Sequence, residues 1–361
     1  MNSQTVKFKS ENLDGFYATL RKRADLYFNQ QKLSKKGDKL LFIKALILIV
    51  LYINLYTLIF KGGLVSILAY IGMGFLAVPL ILNIGHEAAH NTFSSSPILN
   101  TILVRIFNIL GAEGTIWQYK HTQSHHVFPN IAGMDMDIAQ NDLARIAPTA
   151  RYLRAHRFQH VYMPFLYLIY TLNWLIYRDF KDFRLLFSHS PRRVWQFIVL
   201  LLSKVFYFSY ILILPLLVLK GEHSTVWMGF MAMQFTMSAT TFLVLVSAHV
   251  GESAIFPVPD TEGRLAHTWS EHQLITTTDF APENTFVTHL FGGFNHHVVH
   301  HLFPNVSHIH YPALTKLTQQ TADEFGIHYR CFPTIRESVI SHFYFLKKNG
   351  LPPDFFEHAD I

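Results

Sequence analysis

At 361 residues, half of them hydrophobic and only 15% charged, with a positive mean hydropathy, the chain lacks the composition of an ordinary soluble protein and reads as membrane-resident. Its formal charge of +6 does not point to nucleic acid, because Lys and Arg are spread over several segments without a nucleic-acid-binding motif. The single cysteine, Cys331, excludes internal disulfides and any four-thiolate iron–sulfur cluster.

Residues 1–39 are polar and basic, without the apolar core and small-residue cleavage site of a signal peptide, and are predicted to form an N-terminal segment outside the membrane. Two stretches of about 20 apolar residues follow, at about 40–60 and 64–85. Only Lys61, Gly62 and Gly63 join them, which predicts a tight helical hairpin. HEAAH comes next, placing His86 and His90 on one helical face. The apolar segment 98–110 is too short to span. HTQSHH then supplies His121, His125 and His126, and the run after it supplies Asp135 and Asp137. Arg151, Arg154 and Arg157 precede the apolar segment 161–177, which is interrupted by Pro164 and Asn173 and flanked by Arg157 and Arg178. Both short apolar segments are predicted to lie in the membrane interface. Arg192 and Arg193 lead into a second hairpin, at about 196–219 and 225–248, turning at Lys220, Gly221 and Glu222. Lys44 and Lys204 fall inside spans, where their ammonium groups are expected to snorkel to the surface. SAHVGE follows with His249 and Glu252, then Glu271 and His272. GGFNHHVVHHLFPN carries His297, His300 and His301, which fall within about 100° of helical arc. Residues 313–361 are predicted to form a C-terminal segment outside the membrane, and 40–312 the functional domain.

The predicted fold class is therefore an all-α integral membrane protein: four transmembrane helices in two hairpins, interfacial helices, and a histidine-rich cap holding a di-metal site. The positive-inside rule assigns its sidedness. Of the 30 Lys and Arg, 26 lie in the N-terminal segment, the central loop and the segment after 248, whereas the two outer turns hold only Lys61 and Lys220. Both termini and all the histidine clusters are thus predicted to be cytoplasmic.

The histidines carry the chemistry. Eight in three motifs exceed the three or four ligands of one ion, so their number argues for two metals, and imidazole suits iron. His249 is a candidate ninth ligand. Asp135, Asp137, Glu252 and Glu271 are candidates to orient the ring nitrogens, and His272 is the first of the other histidines to test. Those others, His308 and His342 among them, are expected to be structural, exposed or packed around the ligands. The second and third clusters also echo each other, His125-His126-Val-Phe-Pro-Asn against His300-His301-Leu-Phe-Pro-Asn. In each, the proline should stop its helix.

This pattern, HEAAH, HTQSHHVFPNIAGMDMDI and HHVVHHLFPNVSHIHYP, resembles the three histidine boxes of the membrane fatty acid desaturase family, HxxxH, HxxxHH and HxxHH. The resemblance covers about residues 40–312. It implies iron ligands at His86, His90, His121, His125, His126, His297, His300 and His301, with His249 matching a further histidine after the last span. It also implies two non-haem irons, O2 as co-substrate, a fatty acyl substrate, membrane lipid as surroundings, and electrons from a separate donor of ferredoxin or cytochrome b5 type with its reductase. The runs at 133–138 and from His272 look most like the front-end branch. The chain differs from many of its members in carrying His297 where Gln is frequent, and in lacking the HPGG of a fused cytochrome b5 domain. An acyl chain is expected to lie in an apolar tunnel between spans and interfacial helices. The arginine group at 151, 154, 157, 192 and 193 attracts anionic lipid or docks the phosphates of an acyl carrier or lipid headgroup.

Rival readings remain at this stage. HEAAH satisfies HExxH, with Glu87 as general base of a zinc membrane protease, although such a site does not use the other two boxes. A hydroxylase, ketolase or sphingoid-base desaturase would keep all three. A metal-transport protein would carry its ligands within the spans, whereas these clusters follow them.

Overall fold

A computed structural model describes residues 6–13, 15–138, 142–245 and 248–352. Residues 246 and 247 of the predicted fourth span, and 353–361 with His358, lie outside the described residues. Helix α1 (Phe16–Gln31) buries Phe16, Leu20, Ala24 and Phe28, one residue in four, and so lays a single apolar stripe on its neighbours. The first span, α2 (Lys39–Ile59), starts where the Asp38 carboxylate accepts from the Leu41 amide. It is apolar all round: Leu41, Ala45 and Leu48 are buried while Leu46, Ile47 and Val50 are exposed, the pattern of a helix facing lipid on one side.

The second span, α3 (Gly63–Ala89), runs beyond the predicted end at 85 and carries most of HEAAH itself. Pro79 lies inside it and a π turn, Ile81–His86, follows directly. An apolar helix α4 (Pro97–Ile109) and the shorter α5 (Gly114–Lys120) come next, then α6 (Gln159–Leu168). The remaining spans are α7 (Arg193–Val218) and α8 (His223–Leu245). All four predicted spans are thus helices of membrane-crossing length and composition. α3 packs closely on α8, where a Cβ on Gly74 would run into the Met233 carbonyl. A second π turn, Ser209–Ile213, frees carbonyls in α7, and the Tyr56 and Tyr70 hydroxyls donate to Tyr210 and Ile211 at 2.8 and 2.7 Å. That restores the bonding an apolar surrounding cannot supply.

The two hairpin turns meet at one end of the bundle, where the Gly63 amide donates to Glu222 Oε2 at 2.5 Å. At the other end sits a cap built from α1 and the chain after 248: α9 (Trp269–Thr276), α10 (His297–Leu302), α11 (Tyr311–Glu324) and α12 (Ile335–Asn349). Two short parallel strand pairs stitch it together, β1 (Lys7–Lys9) with β2 (Arg264–Thr268) and β3 (Asp279–Phe280) with β4 (Cys331–Phe332). Burial pushes the Cys331 thiol up to about 12, which keeps it protonated and unreactive.

Three local expectations are refined. Lys204 does not snorkel: it is buried and donates to Asp179 Oδ2 at 2.5 Å and to the Gly111 carbonyl at 2.6 Å. Lys44 likewise turns into the cap, reaching His308 Nε2 at 2.9 Å and the His289 carbonyl at 3.2 Å. In both cases protein acceptors within reach take over part of the bonding that water would supply. After α6 the chain passes Thr171, whose hydroxyl is 2.9 Å from Gln234 Oε1 and 2.7 Å from Ser238 Oγ of α8. Ser238 lies about 10 Å along α8 from its cap end at 1.5 Å per residue, the deep edge of an interfacial location.

Candidate metal centre

The first box is aimed by the π turn that closes on His86. Pro79 cannot donate within the helix, and its carbonyl is taken by Asn83 Nδ2 at 2.9 Å. The same amide reaches the Leu290 carbonyl at 2.8 Å, which ties α3 to the lead-in of the third box. There the chain turns through Gly292 and Gly293, at φ +58 and +68, with Gly292 against the backbone of Leu82 and Asn83. A side chain at Gly292 would displace this contact as well as strain the turn. From His86 one α-helical turn leads to His90, whose amide donates to the His86 carbonyl, and the two rings lie 4.8 Å apart.

In the second box α5 again runs into a π turn, His121–His125. The His126 amide donates to the His121 carbonyl, an i to i+5 bond that brings both His125 and His126 over His121, at ring distances of 5.3 and 4.6 Å. The third box is the short α10, which stops at Leu302 just before Pro304, as predicted.

These elements bring eight histidines into two groups of four. His86, His90, His121 and His300 form one, and His125, His249, His297 and His301 the other, and within each the ligand atoms lie within 4.8 Å of one another. Opposite ligands of one ion are about 4 Å apart, from metal–nitrogen bonds of about 2.0–2.1 Å, so each group has the dimensions of a single metal site. His126 joins neither group of four but lies between them, its Nε2 3.1 Å from His121 Nε2 and its ring stacked on His301 at 4.3 Å.

The donor set fits metal. The Nε2 atoms of His90, His300 and His301 are buried without a hydrogen-bond partner among the described residues. His249 and His297 bring their Nε2 atoms to 2.6 Å and His86 and His121 to 3.3 Å. Orphaned buried nitrogens facing one another are a standing cost unless a shared cation takes their lone pairs. Burial, reinforced by neighbouring imidazoles, holds His90, His126, His297, His300 and His301 well below the usual histidine range, and His249 down to about 3. They are therefore neutral near pH 7, the state that coordinates.

The outward nitrogens are held from behind. His121 Nδ1 donates to Asp137 Oδ2 at 3.0 Å and His125 Nδ1 to both oxygens of Asp135 at 3.1 Å. Burial opposes ionisation of Asp137, but Lys120 at 3.0 Å, His121 and His125 together outweigh it and hold the carboxyl well below its usual range. Burial also presses His125 down, and Asp135 overcomes it, so His125 is lifted. Three partners went unpredicted: Tyr311 Oη, 3.0 Å from His300 Nδ1; Gln273 Oε1, 2.9 Å from His301 Nδ1; and the Thr276 carbonyl, 3.0 Å from His249 Nδ1. Gln273 and Tyr311 both sit in runs flagged in the sequence, HQLITT and HIHYP.

Other candidates lie elsewhere. The Glu252 side chain is exposed, and its amide donates to Ser341 Oγ at 2.8 Å. Glu271 is a helix cap, accepting from the Thr268 amide. His272 braces the second box from outside through the Pro129 carbonyl at 2.9 Å. Arg151, Arg154, Arg157, Arg192 and Arg193 are exposed, and none lines the cavity of about 470 Å³ that opens beside His90 and His126. The protease reading meets a direct obstacle. Glu87 faces away from the histidine nitrogens, accepting from His308 Nδ1 at 2.9 Å, the His308 amide at 3.0 Å and Thr92 Oγ1 at 2.9 Å. A base so occupied cannot serve a metal-bound water.

A family model described as fatty acid desaturase matches residues 62–333, most of the chain. The chain belongs to the fatty acid desaturase family. Within it, the chain is 30% identical to the sn-1 linoleoyl-lipid 6-desaturase of Synechocystis, across 97% of this chain and 99% of that protein. It is also 30% identical to the acyl-lipid (8-3)-desaturases of Physcomitrium patens and Mortierella alpina, covering 74% and 78% of those longer proteins. The three histidine boxes by which the desaturase family is recognised in the sequence are the segments that the fold gathers into one buried cluster.

Proposed function

We propose that the chain desaturates a fatty acyl group carried on a membrane lipid, at a dinuclear iron centre held by His86, His90, His121, His125, His126, His249, His297, His300 and His301. The two opposed groups of buried histidines carry this reading. The acyl-lipid carrier is supported by the names of the relatives. Bound iron would supply the oxidising power that an unactivated C–H bond demands. The overall change balances as one CH2–CH2 unit, one O2, two electrons and two protons giving one CH=CH unit and two waters. The two electrons call for a separate carrier of ferredoxin or cytochrome b5 type.

The residues of the chain prepare the site. Asp135 and Asp137 fix the Nδ1 proton of His125 and His121, so that Nε2 faces inward. Gln273, Tyr311 and the Thr276 carbonyl do the same for His301, His300 and His249. Burial of the cluster under the cap excludes water from a reactive centre. The charge distribution supports a cytoplasmic cap with both termini on that side.

Metal analysis of the purified protein is expected to find two irons per chain, and expression in a host lacking the activity to yield acyl chains lighter by two hydrogens. Acyl chains heavier by one oxygen would make it a hydroxylase. One zinc per chain with unchanged lipids would overturn the reading.

A further inference from the structure

The cavity beside His90 and His126 differs from an acyl tunnel in its walls. Four carboxamides line it, those of Asn91, Gln118, Gln123 and Asn305. Hydroxyls of Thr115, Tyr119 and Thr122 join them, and no Asp, Glu, Lys or Arg does. Some of these groups are spent internally: Gln118 Nε2 donates to the Ala89 carbonyl, and Thr122 Oγ1 donates to the Gln118 carbonyl. The side chains of Asn91, Thr115 and Asn305 make no hydrogen bond among the described residues. Lys36 touches the rim from outside and donates to the Asn91 carbonyl.

We infer that this cavity receives the headgroup of the lipid substrate and selects an uncharged, hydroxyl-bearing one, a glycosyl or glycerol group, over a phosphate or a CoA thioester. The inference rests on the desaturase reading, which places the reacting carbons at the histidine cluster and leaves the polar end of the lipid to occupy its opening. A carboxamide offers both donor and acceptor, matching a sugar hydroxyl, which does the same. A phosphate calls for Arg or Lys in the wall, and here Lys36 stands at the rim, donating to the Asn91 carbonyl, while no Arg or Lys lines the interior. At about 470 Å³ the cavity falls in the range that holds small ligands. Docking of an electron carrier generally uses complementary charge, which these walls lack. The exposed arginines, read in the sequence as attracting anionic lipid or docking a phosphate, stand outside it.

The test compares the purified enzyme, with its electron donor, on three substrates of identical acyl chains: a monoglycosyl diacylglycerol, phosphatidylglycerol and acyl-CoA. The glycosyl lipid is expected to show a kcat/KM at least about tenfold above the others. Asn305→Ala and Thr115→Val should each narrow that ratio about three- to tenfold, the scale of one neutral hydrogen bond. Asn305→Lys, on an exposed turn that tolerates substitution, should shift preference toward phosphatidylglycerol. Equal kcat/KM on all three, a preference for either anionic substrate, or variants that slow reduction by the donor while leaving the ratio intact would overturn the inference and leave desaturation standing. No double bond in any substrate would overturn both.

Discussion

The sequence His-His-x-Phe-Pro-Asn ends both the second and the third box, yet its two copies are set differently. At the second box the end is sealed. Asn130 adopts φ +60, is buried, and donates to the carbonyls of His249 and Ile255 at 3.1 and 3.0 Å, while the Pro129 carbonyl takes His272. At the third box Asn305 is exposed and, with Pro304, lines the cavity. The histidines behind them differ in the same sense. Those of the second box lean on carboxylates, Asp137 and Asp135, and those of the third on neutral groups, Tyr311 and Gln273. Each group of four draws from both, so each candidate metal position would meet one imidazole backed by a carboxylate and one backed by a neutral group. A shared motif fixes where the histidines point, and its surroundings decide which side is wall and which is opening.

Removing a histidine should have the largest effect and ignore this contrast. His297→Ala and His125→Ala are each expected to abolish product, and to lower iron per chain measured on the purified protein, because both lie in the same group. Retention of full iron with lost product in either variant would show that the ligand set is drawn wrongly.

Next come the carboxylates. Asp135→Asn and Asp137→Asn keep the shape but lose the charge, and each should reduce metal affinity or turnover about ten- to a hundredfold, read by chelator competition and lipid mass analysis. The two asparagines then separate wall from opening. Asn130→Ala removes two buried hydrogen bonds, at about 1 kcal/mol each, and should lower stability by about 2 kcal/mol in thermal unfolding. Asn305→Ala should stay within about 0.5 kcal/mol of the wild type. Equal losses would mean that both ends are structural.

Much of this site was legible in sequence because its information is local. The spacing of His86 and His90, the prolines after each His-His pair, and the span lengths all follow from helical geometry. What escaped was either long-range or off-period. A 3.6-residue repeat does not reveal a π turn, so the way His125 and His126 both overlie His121 could not be read from spacing. Glu87 meets His308 across 221 positions, which no local motif announces. Glu252 is close to His249 along the chain, but the backbone turns there and leaves its side chain in solvent. Gln273 is next to His272 in the chain, on the face of α9 that meets His301.

The smallest of the effects on the metal site's turnover is the most informative about the two boxes. A hydrogen bond to a charged group is roughly twice as strong as a neutral one, so replacing the neutral partner of a third-box histidine should cost about half as much free energy as neutralising a carboxylate behind the second. Tyr311→Phe removes only the hydroxyl beside His300 Nδ1 and leaves the ring in place. The expected loss is about three- to tenfold in turnover, with iron content nearly unchanged, against the ten- to hundredfold loss at Asp137, which backs His121 in the same group of four. Because both variants act on one metal position, the ratio of their effects isolates the partner's charge from the site's location. A Tyr311→Phe loss as deep as that of Asp137→Asn would mean that the phenol does more than orient His300, and the contrast between the boxes would have to be drawn from its chemistry.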